Sequence, residues 1–247
     1  MEKEIIIDAD EMHYTPLNKA IRSAVRDGVS KIRIENVLGQ RFIADGLRGD
    51  VSITVHGIPG GDLGMFMSGP TVEVFGNCDH APGNTMDAGE IIIHGSSGDA
   101  TAHSMRGGMV MVRDDIGYRG GIHMKEYGDH RPVLIVGGNA RAFLGEYMAG
   151  GLVIILGLQE KRVLPDRGIG SGIHGGEIFI RGDVPERLLG VGAKKAEATE
   201  EDKARIIPFI RRYAERFSLD PAPLIEDRYT RITPASGRPF ANKYTWE

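Results

Sequence analysis

The chain has 247 residues, 26% of them charged and 41% hydrophobic, with a formal net charge of −4. That length holds one domain or two with a real core, and the weakly acidic balance argues against a nucleic-acid surface, which shows a basic face. The single cysteine, Cys78, excludes an internal disulfide, a cysteine-rich zinc site and an iron–sulfur cluster built from this chain alone.

The first residues, Met-Glu-Lys-Glu-Ile-Ile-Ile, are charged and lack a signal-peptide core, and no apolar run approaches the length of a membrane span. The expected location is therefore the cytoplasm. Residues 4–8 read as a short strand. Thr15-Pro16 reads as an N-cap followed by proline at N1. Leu17, Ile21 and Val25 then keep helical spacing up to Gly28, a C′ stop. Lys31–Val37 reads as a strand.

From about residue 40 the chain repeats. Glycine is used 35 times, about twice the ordinary ~7%, and much of it falls into columns. With Gly57 as anchor, glycine returns at Gly76 and Gly95, Asp114 takes the next 19-residue step, and the register resumes at Gly138, Gly157 and Gly182 after insertions of five and six. Four and two residues before each anchor stand Ile53/Val55, Val72/Val74, Ile91/Ile93, Val110/Val112, Leu134/Val136, Val153/Ile155 and Ile178/Ile180. A spacing of two puts each pair on one face of a strand, and β-branched side chains suit that surface. Met67, Met86, Met105, Met148 and Ile173 make another column. Gly64, Gly83, Gly145 and Gly170 make a third, with Ala102 as the small substitute. Stacked coils with glycine at the corners and one strand per turn bury such columns as a continuous core. The fourteen paired side chains contribute on the order of 20–40 kcal/mol gross. No six-residue period is present, which argues against a left-handed hexapeptide helix. A 19-residue coil is too short for a propeller blade.

After Gly192 the composition changes. Thr199 caps a predicted helix over about 200–217, with Glu200, Glu201 and Asp202 in its first turn. Ile206, Ile210, Tyr213 and Phe217 form its apolar stripe, and Pro208 is expected to kink it. From Asp220 on, four prolines suggest an extended tail. The expected fold is all-β: a right-handed parallel β-helix of about seven coils (38–183), a small N-terminal strand–helix–strand cap (1–37), and a C-terminal helix with tail (184–247).

The corners with small-x-x-Met-x-x-Gly spacing, led by Leu38-Gly39-Gln40-Arg41-Phe42, resemble the C-terminal GXGXG domain of the glutamate synthase large subunit over about residues 15–183. The best segments are Gly64–Gly76, Pro82–Gly95 and Asn139–Gly157. Arg41 stands where the large enzymes carry serine, and the segment 190–247 departs from the family pattern. The resemblance implies a stand-alone form, as in split glutamate synthases and N-methylglutamate synthase. It implies a non-catalytic subunit that holds a glutamine amidotransferase subunit and an FMN-binding synthase subunit in register, with FMN and Fe–S carried by the synthase partner and no cofactor in this chain. No catalytic, cofactor-binding or metal-ligating residue carries over. The β-helix subunit of formylmethanofuran dehydrogenase belongs to the same family and is the alternative. A homo-oligomer is also compatible. An independent polysaccharide-acting β-helix enzyme would need aromatic platforms, and the only tryptophan, Trp246, lies in the tail.

Other motifs read as structure. Gly170-Ser171-Gly172-Ile173-His174-Gly175 spells G-x-G-x-x-G, but a strand pattern follows where a dinucleotide site needs a helix. Cys78, Asp79 and His80 are adjacent, whereas nucleophile and base are normally assembled from distant positions. His123 and His130, with Lys125, Glu126, Asp129 and Arg131, crowd the first insertion, with no third metal ligand set by spacing. This loop and the charged second insertion, around Leu158–Arg167, are candidate partner contacts. Three residues before each anchor, on the outer face, stand Thr54, Glu73, Ile92, Met111, Ile135, Ile154 and Phe179. The last five form an apolar stripe that something must cover, and the helix at 200–217 is predicted to lie along it.

Overall fold

The structure is a computed structural model, and it describes residues 4–159 and 163–236. β1 (Glu4–Asp8), α1 (Tyr14–Arg26) and β2 (Lys31–Leu38) form the start of the chain. Seven strands follow: β3 (Ser52–Ile58), β4 (Ser68–Phe75), β5 (Ala88–Ile93), β6 (Met109–Val112), β7 (Val133–Val136), β8 (Ala149–Ile155) and β9 (Gly175–Arg181). All nine strands stack in chain order as one parallel sheet. Six turns join β3 to β9, one fewer than the expected coils because seven strands bound six turns. The fold is a parallel β-helix.

The periodicity dictates the register. Ile53 pairs with Val72, then Ile91, Val110, Leu134, Val153 and Ile178, strand after strand. All fourteen inward side chains are buried, and so are Met67, Met86, Met105, Met148 and Ile173. Met124 also belongs to the methionine column, 19 residues after Met105 and fully buried. Counting back from Gly138 misses it because the five-residue insertion follows it. That insertion is a tight hairpin closed by Tyr127 and His130, each donating its backbone N–H to the other's carbonyl at 3.1 Å.

Each coil turns through a corner in which alternate residues adopt left-handed backbone. The last corner is Gly168-Ile169-Gly170-Ser171-Gly172, with φ of +72°, +67° and +68° at its three glycines. The same conformation recurs at Asp62, Gly64 and Phe66, at Ala81, Gly83 and Thr85, at Ala100, Ala102 and Ser104, at Arg119, Gly121 and His123, and at Phe143, Gly145 and Tyr147. Successive N–H groups then point alternately forward and back along the helix axis. Asp62 N donates forward to His80 O (3.0 Å), Gly83 N donates back to Leu63 O (2.8 Å), and Phe66 N donates forward to Asn84 O (3.0 Å). The G-x-G-x-x-G stretch is therefore a corner, followed by β9. A non-glycine residue held left-handed costs roughly 1–2 kcal/mol, so the corners store strain that the inter-coil hydrogen bonds and the core offset.

The flanks differ from expectation in two places. α1 begins two residues earlier than predicted, and its cap is His13 rather than Thr15, with His13 Nδ1 accepting from Thr15 N at 3.3 Å. Gly28, at φ +81°, ends it as expected. The segment after Asp220 is not extended within the described residues. It forms α3 (Ala222–Glu226) and β11 (Tyr229–Pro234), and β11 turns back antiparallel along β9. A further strand, β10 (Ala193–Glu197), pairs outside β11 and closes that end of the sheet. Trp246 lies outside the described residues. Between these strands, α2 (Glu200–Arg216) runs continuously through Pro208. Its capping box is reciprocal: Asp202 N donates to Thr199 Oγ1 and Thr199 N donates to Asp202 Oδ2.

Candidate docking surfaces

The outer face of the sheet is the first surface to account for, and α2 covers most of it. Ile92, Met111, Ile135, Ile154 and Phe179 are fully buried in one cluster with Ile206, Ile210 and Tyr213 of α2 and with Leu224 and Tyr229. The predicted stripe and the predicted helix face meet. Two sheet carboxylates clamp the ends of the helix. Glu177 on β9 accepts from Arg205 at 2.6 Å, from Arg131 at 2.8 Å and from Arg231 at 2.8 Å. Glu90 on β5 accepts from Arg216 at 3.1 Å, and Arg212 makes an ionic contact to its other oxygen at 2.6 Å. Burial pushes the Glu177 carboxyl up, and the hydrogen bonds from Arg205, Arg131 and Arg231 more than offset this, leaving it below the ordinary carboxylate range. From Arg205 to Arg216 is about 16 Å of helix at ~1.5 Å per residue. The four strand spacings from β5 to β9 are about 19 Å at ~4.8 Å each, so the helix matches the span. Tyr213 pins the middle, donating to Arg113 O at 3.1 Å. Gly137 leaves room for it, since a Cβ there would lie 1.9 Å from the Tyr213 hydroxyl.

The motifs that suggested chemistry are placed apart from it. Cys78 is buried, and burial followed by the neighbouring Asp79 charge pushes its thiol far up. His80 accepts from Asp99 N through Nδ1 at 2.8 Å, a bond to the next coil. Cys78, Asp79 and His80 are therefore not a nucleophile set. His123 leaves the insertion altogether and stacks on Tyr147 at 5.4 Å, while His130 stays in the hairpin. Among the described residues, no group of three His, Cys, Asp or Glu is placed to hold a metal ion. A shallow cleft of about 500 Å³ under the hairpin is lined by Ser68, Asp87, Arg106, Lys125, Tyr127 and His130, and there Arg106 holds Asp87 through two bonds of 2.7 and 2.9 Å. The second insertion falls partly outside the described residues. The described carboxylates most buried by the fold, Glu90, Glu177 and Asp202, all face arginines. That arrangement braces the molecule.

One surface was missed by sequence reasoning. Along the left-handed corners, side chains stack coil on coil. His103 meets His123 edge-on at 6.0 Å, and His123 lies parallel to Tyr147. Phe143 lies between the Arg119 and Arg167 guanidiniums, at 5.2 and 5.5 Å, and Tyr118 lies under Arg141 at 5.6 Å. At the start of the helix Arg41 covers Phe42 at 4.8 Å and Tyr14 meets the same ring at 5.7 Å. The signal was available in the spacing: His123 stands 19 residues after Ser104, and Arg119 stands 19 after Ala100.

This architecture has known counterparts. Residues 6–236 match the model of the family described as GXGXG motif, so the match includes the segment 190–236 that departed from the expected pattern. An uncharacterized protein of Methanocaldococcus jannaschii is 54% identical over 253 aligned positions, covering 98% of this chain and 97% of that protein. A ferredoxin-dependent glutamate synthase of Synechocystis is 23% identical over 215 positions, 76% of this chain but 13% of that enzyme's length. Among the described residues no helix is long and apolar enough to cross a membrane. A β-helix with alternate left-handed residues at its corners, glycine at all three only in the last, matched over nearly its whole length, places this chain in the GXGXG motif family.

Proposed function

We propose that the chain is a non-catalytic β-helix subunit of a glutamate-synthase-type oxidoreductase. It holds a glutamine amidotransferase subunit and an FMN-binding synthase subunit in register, and FMN and Fe–S belong to the synthase partner. The observation that carries this reading is the family match across residues 6–236, together with the likeness to a stretch of a much longer glutamate synthase. The braced outer face supports it, because a spacer between two active sites must be stiff, and a packed core deforms little. The test uses the purified full chain. It is expected to be colourless and to show neither glutaminase nor synthase turnover. Stoichiometric flavin bound to the isolated chain would overturn the reading.

A further inference from the structure

The corner stripe carries an inference that rests on this reading and adds to it. Glycine fits a left-handed corner without strain, and the last corner uses three glycines. The earlier corners instead place Phe66, Arg119, His123, Phe143 and Tyr147 in that conformation. The side chains themselves add little burial for most of them. Phe66 is 46% exposed and Tyr147 40%, and Arg119 and His123 are exposed. Strained residues persist where the surroundings hold them for a purpose. Arg119, His123, Phe143 and Tyr147 are also already ordered, since each stacks on a neighbour one coil away. Such a surface loses little side-chain freedom on binding, and Tyr and Arg are the residue types on which interface energy concentrates.

The charges indicate what the stripe faces. Arg119 is paired with Glu146 at 3.0 Å. Arg141 and Arg167 lie over rings and meet no carboxylate among the described residues. The acidic groups Asp62 and Glu146 sit in the same stripe, and the chain is negative overall, which disfavours a polyphosphate strand. The outer sheet face is taken by α2. We propose that the left-handed corner stripe, from Phe66 to Arg167, is the docking surface for a partner subunit. That subunit would present carboxylates to Arg141 and Arg167 and apolar surface to the rings.

The test uses the tagged full-length chain, isolated with its partners from the organism that makes it. Hydroxyl-radical footprinting compares that complex with the isolated chain. Oxidation of Phe66, Tyr118 and Tyr147 should fall at least about fivefold, while Phe75, exposed on the sheet face, stays unchanged. The double variant Phe66→Gly, Tyr147→Gly should recover at least about tenfold less partner, since two anchoring rings are removed. The isolated variant should melt within about 3 °C of the parent or above it, because strain is relieved as the rings are lost. Undiminished partner recovery, or a larger fall in melting point showing that the rings serve folding, overturns the proposal. So does a protected stripe in a complex that holds only further copies of this chain or nucleic acid. A flavin-containing complex with an unprotected stripe sinks this inference alone. A flavin-free complex with another protein and a protected stripe sinks only the reading above it, and a chain recovered alone sinks both.

Discussion

Removing the Tyr213 ring should undock α2. The ring is fully buried in one cluster with Ile210 and the sheet stripe, and truncating a buried aromatic to alanine costs about 3–5 kcal/mol. Its hydroxyl bond to Arg113 O accounts for about 0.5–1.5 kcal/mol of that side chain's contribution. Burial, with Asp114 nearby, holds the phenol above its ordinary pKa, so it stays neutral throughout the assay. For a chain of this size 1 kcal/mol moves the melting point by roughly 2–4 °C. Tyr213→Ala should therefore lower it by about 6–20 °C, and Tyr213→Phe by about 1–6 °C. Circular dichroism gives the melting point, and a hydrophobic dye reports whether the stripe opens below it. Dye should bind the alanine variant and not the phenylalanine one. This is a cleaner perturbation than deleting residues 199–247, which also strips β11 from β9. A Tyr213→Ala protein that melts within 2 °C of the parent and stays dye-silent would refute the packing.

Three further outcomes follow from the same geometry. Met124→Asp puts an uncompensated charge in the methionine column, a strongly unfavourable burial, and should leave too little folded protein to purify; a normal melting curve would show that the column is misassigned. Gly137→Ala sets a Cβ 1.9 Å from the Tyr213 hydroxyl and 2.2 Å from Arg113 O. Overpacking of this kind costs about 1–3 kcal/mol, and adding Tyr213→Phe should recover part of the lost melting temperature but not all, since the backbone clash remains. Glu177 and Asp202 have folded pKa values below their ordinary ones. Their stabilising effect is thus fully present above the ordinary carboxylate pKa and is lost as pH falls through the lowered values. Thermal stability should drop on acidification below about pH 4, and Glu177→Gln should flatten that drop; an unchanged acid profile in Glu177→Gln would remove the clamp from the account.

How far the chain could be read from its letters depended on how local the determinants were. The inward Val/Ile pairs and the 19-residue step act between adjacent coils, so periodicity alone placed β3 to β9. The stripe from Ile92 to Phe179 was legible because two-sided burial makes strands apolar on both faces, and α2 carried a matching face at helical spacing. β11 was not legible. Its pairing with β9 joins Tyr229 to Arg181 across β10, α2 and α3, and prolines around it look like a tail. The corner stripe was half legible: glycine marks a left-handed position, but Phe66, His123 and Tyr147 occupy the same conformation with no signature of their own. Arg41 and Arg167 likewise gained meaning only when their rings were in place.

The central claim, that this chain serves as a scaffold within a glutamate-synthase-type complex, meets its most direct test in the composition of the native complex. The chain, tagged and isolated under mild conditions, should co-elute in fixed ratio with a glutaminase-active subunit and with a subunit containing flavin and iron. The complex should also transfer the amide nitrogen of glutamine to a 2-oxo acid when given a reductant. A homogeneous preparation that contains only this chain, or a complex free of both flavin and glutaminase activity, would contradict the account.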